Sequence, residues 1–180
     1  FRDQFGINER FILNVGNIEP RKNQLKLVQV MKALPDLKLV LIGHARDPDY
    51  TAEVLAIGGE QVRYIGPLPH ESELLRSAYA ACEVFCLPSA LETPGLAALE
   101  AHAAGCSIVV TKVGSTQEYF RDSVVYVDPE YTEEILVALQ QALKTNKESQ
   151  LLKLQNRTDR FFWHTMVSPL VNTYKDVVVL

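Results

Sequence analysis

The chain has 180 residues, 47% of them hydrophobic and 22% charged, which is the balance of a soluble globular domain with a real core. A net charge of -4 argues against a general nucleic-acid surface, because such domains are usually basic. No apolar run approaches the roughly 20 residues needed to span a bilayer, and Phe1-Arg2-Asp3 opens the chain with no signal-peptide pattern behind it, so it reads as a piece of a longer protein.

In chain order, β-rich runs alternate with helical stretches. Phe11–Val15 predicts the first strand, ended by Gly16 and the polar turn that runs to Asn23. Asn23–Leu34 predicts a helix, Leu37–Ile42 a strand, Tyr50–Ile57 a helix and Val62–Ile65 a strand. His70–Ala80 predicts a helix that starts at His70, with Glu73 placed to support the cap, and Val84–Leu87 predicts a strand. The next helix covers Pro94–Ala104, with Thr93 as N-cap, Pro94 in the first helical position and Gly105 as the stop. Strands over Ser107–Thr111 and Val124–Val127 flank a short helix over Ser115–Phe120. Helices over Thr132–Lys144, Lys147–Phe161 and His164–Val178 complete the chain, with the aromatic Phe161-Phe162-Trp163 as an anchor for the last.

This alternation is the signature of βαβ units. With right-handed crossovers the six strands make an α/β fold, a doubly wound, Rossmann-like parallel six-stranded sheet with helices on both faces. Most of the strands are continuous apolar runs, as expected when both faces are covered. In such sheets ligands bind outside the carboxyl ends of the strands. The loops there are Gly16–Asn23, Gly43–Tyr50, Gly66–His70, Pro88–Pro94 and Thr111–Ser115, and the polar residues collect on them.

Two of those loops carry chemistry. In Gly16-Asn-Ile-Glu19-Pro20-Arg21-Lys22-Asn23, two cations sit at a helix N-terminus, where they oppose the helix dipole; helix stability does not explain them, and phosphate binding does. The segment is neither a G-x-G-x-x-G fingerprint nor a P-loop. In the stretch from Ser89 to Gly105, Glu100 lies in a helix built from Gly, Ala and Leu, which is apolar on nearly every side and expected to be buried. A buried carboxylate needs a partner. Glu92 stands eight residues earlier, near the helix N-terminus, where backbone N–H groups favour an anion. Together the two suggest a sugar-nucleotide ligand, with carboxylates accepting from hydroxyls.

Other candidates read as structure. Asp47-Pro48-Asp49 is a helix-initiating loop rather than a metal motif, and His102 is a packed core histidine. His44 stands at a strand end and is open to either a cleft or a surface reading. Cys82, Cys86 and Cys106 are buried structural thiols that imply a reducing compartment, and no His or Cys cluster completes a zinc site. No nucleophile elbow or Ser/His/Asp order is present.

Together these residues resemble the C-terminal, donor-binding domain of GT-B glycosyltransferases, most closely the retaining group 1 family (family four) with its E-x7-E signature. The similar segments run from Phe11 to about Tyr174. They include Gly16…Glu19-Pro20-Arg21-Lys22-Asn23, Tyr64-Ile65-Gly66, Ala81-Cys-Glu-Val-Phe-Cys-Leu-Pro88-Ser89, Glu92…Glu100-Ala101 and Gly114-Ser-Thr-Gln-Glu118. The resemblance makes residues 1–180 one half of a GT-B fold, with 162–178 crossing back toward an absent N-terminal acceptor-binding domain.

It implies that Gly16, Arg21 and Lys22 serve the donor diphosphate, helped by N–H groups at Gly95 and Leu96. Glu100 would hold the ribose, backbone at Ile65, Gly66 and Pro67 would meet the base, and Glu92, the catalytic candidate, would lie against the donor sugar. The implied reaction moves a hexose-type sugar from a nucleoside diphosphate, with retention, in polysaccharide or glycan synthesis. It uses no cofactor and no obligatory metal. The implied partners are the nucleotide sugar and the acceptor domain, with no nucleic acid; a cytoplasmic location follows, with peripheral membrane contact through the other half left open. The isolated domain is expected to be inactive. Asn17 stands where many members carry Arg, and Thr93-Pro94 where Gly-Phe is usual. Alternatives on the same scaffold are a nucleotide-sugar epimerase, a phosphorylase, or a non-catalytic binding or scaffolding domain.

Overall fold

Six parallel strands form one sheet in the order β3-β2-β1-β4-β5-β6, seen in a computed structural model that describes residues 1–145 and Val167. The strands are β1 (Arg10–Val15), β2 (Leu37–Ile42), β3 (Val62–Gly66), β4 (Val84–Leu87), β5 (Ser107–Thr111) and β6 (Val125–Val127). The helices are α1 (Arg2–Phe5), α2 (Gln24–Met31), α3 (Pro48–Gly58), α4 (Glu73–Ala81), α5 (Leu96–Ala103), α6 (Thr116–Phe120) and α7 (Thr132–Leu143). The helices expected over 147–161 and 164–178, and the crossover over 162–178, lie outside the described residues.

The expected doubly wound α/β sheet is therefore present. Its central strands β1, β4 and β5 are apolar on both sides because two separate cores sandwich them. On one face Leu27, Val28 and Met31 of α2, Val54 of α3 and Ile135 and Leu139 of α7 pack onto Ile12, Leu39 and Leu41. On the other, Leu75 and Tyr79 of α4, Ala98 and Ala101 of α5 and Phe120 of α6 pack onto Leu13, Phe85 and Ile108. All three cysteines are buried free thiols in these cores. Burial alone pushes the Cys86 thiol well above its usual range, so it is an inert packing group.

Several helix ends differ from the sequence expectation. α4 starts not at His70 but at Glu73, because Ser72 is the cap: its hydroxyl accepts from the Leu74 and Leu75 N–H groups at 3.1 and 3.3 Å. α5 starts at Leu96 behind Gly95, which takes a left-handed conformation (φ 82°), so Thr93 and Pro94 are loop residues. The expected burial of α5 on nearly every side is also not met. The helix packs on β4, β5 and α4, burying Ala98, Ala101 and His102, while Leu96 is 69% exposed and Ala103 and Ala104 are exposed. Apolar composition makes a helix able to be buried, but only a neighbour on each side buries it. Asp47 caps α3, accepting from Tyr50 N–H at 3.0 Å, as the helix-initiating reading required. His102 is a core residue, 4% exposed, with Nε2 3.0 Å from Ser123 Oγ.

Candidate functional site

The strand order reverses between β1 and β4: the chain winds from β1 toward β3 on one side and from β4 toward β6 on the other. The loops that leave their carboxyl ends therefore diverge and open a crevice. A polar core knits the two strands beneath it. Asn14 Nδ2 donates to Cys86 O at 2.7 Å, and Gln24 Nε2 donates to Asn14 Oδ1 at 3.3 Å and to Asn17 O at 2.9 Å. Asn23, left-handed at φ 60°, donates to Pro88 O at 3.0 Å and Pro129 O at 2.9 Å. Asn14 and Gln24 were missed in the sequence; an Asn and a Gln inside a strand–turn–helix run were the available signal.

On this base the charged residues converge. Lys22, at the end of a 3-10 turn over Pro20–Lys22, places Nζ 2.5 Å from Glu92 Oε1, with the two side chains 13% and 6% exposed. Its aliphatic stem lies over Gly16, where an added methyl would sit 3.6 Å from Lys22 Cε. Glu92 is held by its backbone: its N–H donates to Val113 O at 3.2 Å and its carbonyl accepts from Ser115 N–H at 3.0 Å. Gly95 follows with its backbone beside the Glu92 carboxylate; an added methyl there would lie 3.4 Å from Oε2. Arg21 is placed differently from Lys22. Its guanidinium is half exposed, pairs with Glu19 at 3.0 Å and donates to Leu91 O at 3.3 Å, so it clamps the β4 loop to the β1 loop.

Glu100 lies one turn further along α5. Its carboxylate is 30% exposed and accepts from the Tyr79 hydroxyl at 2.7 Å through Oε2, while Oε1 is 3.2 Å from His70 Nδ1. It therefore has the partner that the sequence demanded, but it is not buried as expected. Glu92 is the enclosed one, at 5% exposure, because the 113–115 loop covers it. A cavity of about 410 Å³ opens beside Glu100, lined by His70, Leu75, Arg76, Tyr79 and Ala104 among others. Ile65, Gly66 and Pro67 end β3 on the same sheet edge; Gly66 O accepts from Gly43 N–H at 3.0 Å, and Pro67 is exposed. Among the described residues no group of three His, Cys, Asp or Glu is arranged to hold a metal ion, and no helix is long and apolar enough to cross a membrane.

The crevice can thus supply a buried cation, two carboxylates of unequal exposure and the open N-terminus of α5, all within two loops and one helix. Solved structures share this fold. A C-terminal domain of a glycosyl transferase group 1 family protein from Francisella tularensis superposes with a TM-score of 0.69 at 25% identity, over 87% of each chain. An Anabaena protein solved in complex with UDP and glucose superposes with a TM-score of 0.78 at 20% identity, over 96% of this chain and 51% of its own. In sequence, the O-antigen chain mannosyltransferase B of Escherichia coli is 29% identical over 175 residues, 92% of this chain and 45% of that protein. The chain spans about half the length of such curated relatives. The family model described as glycosyl transferases group 1 matches residues 1–159, which contain all six strands, and the chain belongs to that family.

Proposed function

We propose that this chain is the donor-binding half of a retaining glycosyltransferase that moves a hexose-type sugar from a nucleoside diphosphate to an acceptor, in polysaccharide or glycan synthesis. The observation that carries the reading is the Lys22–Glu92 ion pair beside the N-terminus of α5, the helix that also bears Glu100, at the point where the strand order reverses. Lys22 takes the diphosphate as a point charge, aided by the free N–H groups of the first turn of α5. Glu100 accepts from the ribose hydroxyls, and the ends of Ile65–Pro67 meet the base. Glu92, held by Lys22, accepts from hydroxyls of the donor sugar and keeps it in place while the bond from its anomeric carbon to phosphate breaks.

The departing diphosphate gathers negative charge, and Lys22 with the α5 N-terminus offers fixed positive charge where that charge develops. The chemistry in this reading needs no metal and no cofactor. The acceptor binds to a second domain outside this chain, which matches a relative more than twice its length. Isothermal calorimetry with UDP, GDP and ADP tests the assignment. At least one nucleotide binds, and Lys22→Ala and Glu100→Ala each weaken it about tenfold or more, the worth of a charge-assisted hydrogen bond. Absence of binding to all three, or unchanged affinity in both variants, overturns it.

A further inference from the structure

Tyr79 sits at the back of the Glu100 cavity. It is buried in α4, 4% exposed, with its ring 5.8 Å from that of Phe85. The thiols of Cys82 and Cys106 reach its main-chain carbonyl at 3.3 and 3.0 Å, so backbone and ring are both fixed. Its hydroxyl crosses to α5 and donates to Glu100 Oε2 at 2.7 Å. Packing does not call for that hydroxyl, because phenylalanine would fill the same volume against Phe85. Burial first, and then the Glu100 carboxylate, push the phenol far above its ordinary range, so it acts only as a donor at physiological pH.

Without this bond Glu100 keeps its contact with His70, whose own side chain is largely exposed. The Glu100 side chain has three rotatable torsions and is 30% exposed on the cavity side. The Tyr79 bond selects the conformers with Oε2 turned inward, and Oε1 is left on the open side, where His70 Nδ1 now lies at 3.2 Å. A ribose presents two adjacent hydroxyl donors, and a carboxylate with one oxygen anchored retains enough lone pairs for both.

We propose that Tyr79 is a positioning residue for nucleotide binding: its hydroxyl holds Glu100 Oε2 inward so that Oε1 is already set to accept the ribose hydroxyls. This rests on reading Glu100 as the ribose acceptor. Binding strengthens because the carboxylate's freedom is lost on folding rather than on ligand capture. Tyr79 itself does not touch the ligand.

The test is a double-mutant cycle by calorimetry on the 180-residue chain, using whichever of UDP, GDP and ADP binds tightest. Tyr79→Phe lowers affinity about tenfold with an unchanged melting temperature, and the same substitution made on Glu100→Ala lowers it no further. Glu100→Asp, which draws the carboxylate back from the hydroxyl, loses a similar factor and becomes insensitive to Tyr79→Phe. Unchanged affinity in Tyr79→Phe, or an equal loss on top of Glu100→Ala, overturns the proposal. If Glu100→Ala itself binds normally, the ribose reading falls; if Glu100→Ala weakens binding and Tyr79→Phe does not, only the role of Tyr79 falls.

Discussion

Lys22 and Glu92 are separated by 70 residues in the chain, yet Nζ and Oε1 are 2.5 Å apart. At this degree of enclosure each charge depends on the other, because a buried carboxylate without a cation is costly. The ammonium has three donors, so it can keep Glu92 and still meet a phosphate. Lys22→Ala is therefore predicted to destabilise the fold by about 2 kcal/mol, roughly 5 °C in melting temperature for a domain of this size. Lys22→Ala combined with Glu92→Gln should recover most of that loss, since the stranded charge is gone. Differential scanning calorimetry on the three proteins checks this; a Lys22→Ala melt equal to the parent, or a further drop in the double variant, contradicts it. At this scale the sequence named both glutamates and the lysine, and the structure pairs Lys22 with Glu92 while Glu100 contacts Tyr79 and His70. The expected burial of Glu100 failed because its exposure depends on what covers the outer flank of α5, and the enclosure of Glu92 was not foreseen because it rests on a loop far away in the chain.

The loop that encloses Glu92 is itself tightly specified. Gly114 bridges to Glu92 in a parallel pairing outside the named strands, at φ 101°. A methyl added there would come 2.1 Å from Glu92 O and 3.0 Å from its carbonyl carbon, both backbone atoms with nowhere to retreat. Gly114→Ala is predicted to cost at least about 2 kcal/mol from strain alone and to weaken nucleotide binding by shifting Glu92. Urea unfolding and calorimetry measure both effects, and a variant with parental stability and affinity would refute the loop's role. The elements around this loop were legible to different degrees. Strands were read almost to the residue, since continuous Val, Ile and Leu runs between Gly and Pro admit few alternatives. Helix starts were less exact: the α4 start is set by the local Ser72 cap, while the turns before α2 and α5 are set by ties to other loops. Asn23 adopts its left-handed turn because it bonds Pro88 and Pro129 carbonyls from two other loops. Gly95 ends the β4 loop because Glu92 is already committed to the 113–115 loop.

For the molecule as a whole, the alternation of strands and helices pointed to a parallel, doubly wound sheet, and loops at its carboxyl edge were the natural place for a ligand. What local pattern could not supply was the order of the strands, which alone makes β1 and β4 neighbours and brings the loop of Lys22 against the loop of Glu92. Asn14, buried on β1 and bonded to Cys86 O of β4, and Gln24, buried at the start of α2 and bonded to Asn14, are the sequence's trace of that adjacency. In the proposed function one nucleotide-linked ligand fills this crevice, phosphates on Lys22 and ribose on Glu100. A crystal structure of the chain with its tightest-binding nucleoside diphosphate tests it most directly. Phosphate oxygens are expected within hydrogen-bond distance of Lys22 Nζ and the α5 N-terminus, ribose hydroxyls on Glu100 Oε1, and His70 displaced from that oxygen. A nucleotide seated elsewhere, with the His70–Glu100 contact intact, would contradict it.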